Sequence, residues 1–153
     1  KDAAQEFDKV AASYSSYREV ANYYAAMSRT HFDQAKAQTD LEALSKNNTE
    51  VALWAKIGLA EHYAATGQTD KAIAAYQTLK EGNSVLPKSM IFYNLGRLYE
   101  RQNNTAEAIN AYTEAAKANR SSAEGRKSYE RLSFLDSAAA EKLPPEDIKK
   151  FLK

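Results

Sequence analysis

Small apolar residues and bulkier ones return along this chain at an interval of about 35 positions. Leu59-Ala60-x-x-Tyr63 is echoed by Leu95-Gly96-x-x-Tyr99, and in both copies an alanine follows the small residue after 12 positions, at Ala72 and Ala108. Behind those alanines come Tyr76 with Leu79, and Tyr112 with Ala115. Pairs at i,i+4 and i,i+3 lie on one face of a helix, so each copy predicts two amphipathic helices. The same spacings upstream fall on Ala25, Ala37, Leu41 and Leu44, and Ala3, Phe7 and Val10 fit a further second half. Downstream, Tyr129 lies 34 positions after Leu95, inside a helix expected over about 123–138. A unit this short cannot bury its apolar face alone and stacks on its neighbours, so the pattern predicts an all-α solenoid of antiparallel helix hairpins. Repeats are expected at 17–46, 51–80 and 88–119, with a half hairpin at 1–12, a trailing helix at 122–139 and a short helix at 145–153. We read them as one domain spanning 1–153.

The turns carry matching chemistry. Gly67, Asn47-Asn48 and Asn103-Asn104 tolerate left-handed backbone, and Thr69 and Thr105 are expected to cap the helices that follow. Ser121-x-x-Glu124 has the spacing of a capping box. Gly82 and Pro87 bracket the longest connection, 81–88. The run Pro144-Pro145-Glu146-Asp147 ends one helix and opens the last, whose Ile148, Phe151 and Leu152 share a face.

Composition narrows the function. Lys and Arg total 21 and Asp and Glu 20, a net charge of +1 dispersed along the chain. Nucleic acid is therefore not expected as a partner, because neutralising phosphates requires a basic stripe. There is no cysteine, which excludes disulfide and thiol chemistry. No apolar stretch approaches a membrane-spanning length. The chain starts at Lys1 without methionine, and a preceding portion holding a signal or anchor is expected, the only route foreseen to a membrane. His31 and His62 lack carboxylates at ligand spacing, and no phosphate loop or nucleophile elbow occurs, so neither catalysis, metal nor cofactor is expected. Asn47-x-Thr49, Asn103-x-Thr105 and Asn119-x-Ser121 match glycosylation sequons, a match that Asn-rich turns produce by chance.

Leu59-Ala60, Tyr63, Gly67, Ala72, Ile73, Tyr76 and Leu79, with Leu95-Gly96, Tyr99, Ala108, Ile109, Tyr112 and Ala115, resemble the tetratricopeptide-repeat (TPR) family. The resemblance implies a right-handed superhelix, a concave wall lined by the first helix of each hairpin, and a protein or peptide partner. The first hairpin departs from the family pattern, having Met27-Ser28-Arg29-Thr30-His31-Phe32-Asp33 in place of the usual aromatic and turn glycine. The opening residues 4–11 and 21–25 are similar to bacterial envelope members, including the periplasmic domain of the membrane-tethered ancillary subunit of the Sec translocon. That similarity implies a periplasmic or membrane-anchored setting in envelope assembly or protein export, without excluding the cytoplasm.

On the implied concave wall the candidate contacts are Glu19, Asn22, Tyr23 and Arg29 in the first hairpin, and Trp54, Ile57 and Glu61 in the second. Met90, Tyr93, Asn94, Arg97 and Arg101 follow in the third, and Lys127 and Arg131 in the trailing helix. Aromatics supply rigid contact area and charges set register. Tyr24, Tyr63, Tyr76, Tyr99 and Tyr112 are expected in the core, Trp54 is read as filling space beside Lys56, and Tyr23 and Tyr93 are open to either role. A chaperone-tail clamp is not expected, since Asn22 and Ala26 hold the sites where such clamps use Lys and Asn. Two further readings stay open. One is self-association through Phe7 and Val10 or the C-terminal stripe, giving a homo-oligomer; the other is service as an accessory domain of a larger enzyme.

Overall fold

The structure, a computed structural model, describes residues 1–82 and 85–144. Among them the chain is all-α, a succession of antiparallel helix hairpins, and contains no strand. It divides into two compact units, 1–75 and 76–153. The first holds α1 (Asp2–Ser13), a 3₁₀ turn (Ser15–Tyr17), α2 (Arg18–Arg29), α3 (Gln34–Leu44), α4 (Glu50–Ala65) and the start of α5 (Thr69–Glu81). The second holds the remainder of α5, then α6 (Lys88–Arg101), α7 (Thr105–Ala118), α8 (Ala123–Leu135) and α9 (Ser137–Glu141). The expected helix at 145–153, with Ile148, Phe151 and Leu152, lies outside the described residues.

In the first unit, small residues let helices approach closely: Ala25, Ala26, Ala37, Ala55 and Ala60 have no accessible surface. Leu41 and Leu44 of α3 fill the space between α2 and α4, with Tyr23, Met27 and Leu59 packed around them. The Tyr63 hydroxyl donates to Glu42 Oε1 at 2.7 Å, fastening α4 to α3. Gln68 Nε2 donates to Gln38 Oε1 at 3.0 Å.

In the second unit, Ala108, Tyr112 and Ala116 of α7 meet Leu132 of α8, Ala140 of α9 and Leu143 beyond it. Gly96 is the small residue at the α6–α7 crossing, and an added Cβ would sit 2.6 Å from Tyr112 Cε1. Ser89 and Ser128 are buried with no hydrogen-bond partner for either hydroxyl.

Several local expectations are corrected. Helix α1 turns Ala4 and Ala11 inward and leaves Ala3 and Val10 exposed, so its packing register is one residue away from that read by spacing. Tyr24 is 46 % exposed instead of packed. Asn104, not Thr105, caps α7, its side chain accepting from the Glu107 N–H. Ser122, not Ser121, caps α8 and accepts from the Gly125 N–H at 3.0 Å, so no capping box with Glu124 forms. Gly67 (φ 76°) and Asn103 (φ 57°) are left-handed, whereas Asn47 and Asn48 are not; Thr49 caps α4 there. The trailing helix expected over 122–139 divides at Asp136, whose extended backbone ends α8 while its carboxylate accepts from the Ala139 N–H to start α9. No helix among the described residues is long and apolar enough to cross a membrane.

Candidate functional site

The expected contact residues fall in both units. In the first unit Arg29 is only 7 % exposed. Its guanidinium donates to Asp8 on α1 and, at 2.8 Å, to Asp40 on α3. Its charge is thus spent inside the unit, which removes it from the candidate contacts. Asn22 and Arg29 face a polar hollow of about 350 Å³ between α1 and α3. Glu19 accepts a hydrogen bond from Asn47. Tyr23 is half-buried, with ring centroids 5.4 Å from Tyr24 and 5.9 Å from Trp54. Burial raises its phenol pKa, and the Glu61 charge adds to the effect. Trp54 is half-buried against that ring, and Ile57 is half-buried beside an exposed Glu61.

In the second unit several of the expected residues come together on the face shared by α6 and α8. The heptad spacing of α6 puts Tyr93, Arg97 and Glu100 along one side. Tyr93 is half-buried, its ring centroid 6.2 Å from that of Tyr112 below it. The Arg97 guanidinium carbon stands 5.8 Å from the Tyr93 centroid and Lys127 Nζ, from α8, stands 6.0 Å from it. Neither cation has a carboxylate partner among the described residues. Cations over a ring face are attracted by its quadrupole, an interaction weaker than a charge-assisted hydrogen bond and readily supplemented by an anion.

Beside them Glu100 anchors the arrangement. Arg131 donates to both its carboxylate oxygens, from Nη2 at 2.6 Å and from Nε at 2.9 Å and 3.0 Å. The Tyr112 hydroxyl donates to Oε2 at 2.6 Å. These hydrogen bonds, Arg131's foremost, hold the Glu100 carboxyl below the ordinary carboxylate value. Tyr112 is pushed well above the usual tyrosine value, by burial first and by Glu100 second. The Arg131 guanidinium lies 4.9 Å from the ring centroid of Phe134, which is 77 % exposed. Met90 and Asn94 are half-buried on α6, and Arg101 is exposed at its end.

Sequence reasoning found Tyr93, Arg97, Lys127 and Arg131 but missed Glu100, Tyr112 and Phe134. Glu100 lies seven residues after Tyr93 and Phe134 seven after Lys127, so the helical spacing that selected the first set carries these two as well. Tyr112 was expected only as core, and its hydroxyl doubles as the bond that fixes Glu100.

Residues 51–121 match the model of the tetratricopeptide repeat family. The matched stretch runs from α4 through α7 and so includes Tyr93, Arg97, Glu100 and Tyr112. No curated protein and no solved structure matches the chain. TPR domains bind protein partners in general, and repeats of this family are typically non-catalytic. Among the described residues no group of three or more His, Cys, Asp or Glu is placed to hold a metal ion.

Proposed function

We propose that this protein is a non-catalytic scaffold whose α6/α8 face docks an extended, acidic segment of a partner protein. The observation that supports the reading is the pair of cations, Arg97 and Lys127, flanking Tyr93 without a carboxylate to pair with. Glu100 is already neutralised by Arg131, so an incoming carboxylate meets net positive charge. The exposed Phe134 ring offers an apolar anchor next to it. Affinity of order micromolar, about −8 kcal/mol, is the scale expected for such a segment.

Titrating a fluorescein-labelled Glu/Tyr-rich peptide against the full chain tests this. Tyr93→Ala with Arg97→Ala is expected to weaken binding about tenfold or more, the cost of about 1.4 kcal/mol or more at a hot spot. Unchanged affinity would remove this face from consideration.

We place the work in a bacterial envelope, in assembly or export, on the similarity of residues 4–11 and 21–25 to envelope TPR proteins. Recovery of the native protein in the cytosolic fraction after spheroplasting would refute that setting. Self-association is the second reading, supported by the exposed aromatics Tyr14 and Tyr17 and by Val10 at the start of the first unit. Light scattering across a dilution series separates the two, because a scaffold of this kind stays monomeric until its partner is added.

A further inference from the structure

The α6/α8 face presents its features in a fixed order along α8. Lys127 stands over the Tyr93 ring beside Arg97, Arg131 is bound to Glu100, and the Phe134 ring lies against the Arg131 guanidinium. Because Lys127 meets Tyr93 and Arg131 meets Glu100, α6 and α8 run side by side in the same direction. Lys127 and Phe134 are seven residues apart, so the helical rise separates them by about 10.5 Å on one side of α8. The cationic end has no carboxylate partner among the described residues, and the aromatic end is 77 % exposed. The stretch between them is different. Arg131 is committed to both oxygens of Glu100, and Glu130 is exposed one residue before it, so no free cation is offered there.

A segment that uses both ends must carry a carboxylate and an apolar side chain about 10.5 Å apart on one side. A polyproline II chain rises about 3.1 Å per residue with three residues per turn, so positions i and i+3 share a side about 9.3 Å apart. A β-strand places residues of one side about 6.7 Å or about 13.4 Å apart, short of the span or past it. A helix matches it at i,i+7 but presses its i+3 and i+4 side chains onto the occupied Arg131–Glu100 pair. Given the docking role proposed above, on which this rests, we infer that the face reads one acidic and one aromatic residue separated by two uncharged residues in a polyproline II segment. The carboxylate takes Arg97 and Lys127 over Tyr93, and the aromatic ring packs on Phe134. The two spacers pass over Arg131 and Glu100, where a further acid would meet the like charge of Glu100 and Glu130. Prolines suit the spacers, since they hold the conformation before binding and cut the cost of ordering the segment.

The test is fluorescence anisotropy of the full chain with labelled peptides in which Glu and Phe are separated by one, two or three prolines. A second set exchanges Glu and Phe, so that both chain directions are covered, and a third replaces Glu by Gln. In one of the two orders the two-proline peptide is expected to bind about tenfold more tightly than its one- and three-proline relatives. Phe134→Ser, a change at an exposed position, is expected to level the series to within about twofold while keeping the preference for Glu over Gln. Equal affinity at every spacing, a best spacing other than two, or a spacing preference that survives Phe134→Ser would each overturn the inference. In those cases a retained preference for Glu over Gln leaves the docking role standing, whereas its loss overturns both. Tighter binding of an alanine-rich helical peptide with Glu and Phe seven residues apart would also overturn the inference, by making the occupant a helix.

Discussion

Replacing Gly96 by alanine puts the packing argument at risk in a way that can be worked through in numbers. An alanine Cβ at this position would meet three atoms of the Tyr112 ring, Cε1 at 2.6 Å, Cδ1 at 2.7 Å and Cζ at 2.9 Å. Tyr112 is 1 % exposed, enclosed by Ala108, Ala116 and Leu132, so the ring has no free direction in which to retreat. Overpacking of this kind costs about 1–3 kcal/mol. Shifting the ring also loosens the hydroxyl bond to Glu100, a charge-assisted bond of about 1.5–3 kcal/mol, part of which is lost. Against these stands the helix-propensity gain of about 1 kcal/mol for glycine to alanine. The balance is a destabilisation of about 2 kcal/mol. Gly58→Ala is the matched control. Its Cβ would come too close only to Met27 Sδ, at 2.8 Å, in a flexible side chain that can turn aside, and would touch Leu41 Cδ2 at an ordinary 3.6 Å. There the propensity gain dominates, and a stabilisation of about 0.5–1 kcal/mol is expected. Urea unfolding followed by far-ultraviolet circular dichroism measures both. If Gly96→Ala stabilises the protein as much as Gly58→Ala does, Tyr112 is not wedged under that crossing and the α6–α7 packing described above is wrong.

Removal of the α7 cap by Asn104→Ala should cost about 1 kcal/mol, whereas Thr105→Ala should leave stability nearly unchanged; chemical denaturation of the two variants compares them. Arg29→Ala strips Asp8 and Asp40 of their shared partner and should cost about 2 kcal/mol, less than a fully buried triad because Asp8 is half-exposed, and a melting curve reads the loss. Hydrogen bonds from Tyr63 and Arg131, respectively, depress the Glu42 and Glu100 carboxyls from the ordinary 4.5. A depressed folded-state pKa contributes stability that is present above 4.5 and lost as pH falls through the depressed values. Acid titration of stability should therefore be steeper in this window for the wild type than for Tyr63→Phe combined with Tyr112→Phe. At the alkaline end Tyr63 is pushed up to about 12 by burial and by Glu42, so its contribution is lost as pH rises from 10 towards that value, and ultraviolet titration of the phenols follows it.

How far the sequence reaches can be judged from particular residues. The spacing of Ala25, Ala60 and Gly96 located helix crossings because only residues this small permit close approach, and all three are buried. At α1 the spacing misled by one residue, because Ala3-Ala4 and Ala11-Ala12 offer adjacent alanines and only packing against α2 chooses between them. Caps failed for the same reason: Asn104-Thr105 and Ser121-Ser122 are each a pair of competent residues, and backbone geometry selects one. Arg29 reads as a surface charge along the chain, since its partners Asp8 and Asp40 lie 21 and 11 residues away and meet it only once α1, α2 and α3 are assembled. The α6/α8 face was partly legible because helical periodicity aligned Tyr93 with Arg97. The role of Tyr112 was hidden, for a core ring and a ring whose hydroxyl anchors a surface carboxylate have the same spacing.

The most direct measurement is a charge swap on the α6/α8 face, Arg97→Glu with Lys127→Glu, scored by fluorescence anisotropy against the labelled Glu/Tyr-rich peptide and a Lys/Tyr-rich counterpart. Both positions are exposed, so the fold is expected to persist. Loss of the acidic peptide by a factor of about 100 or more, with gain of the basic one, is the predicted result. Undiminished binding of the acidic peptide by the swapped protein would contradict it.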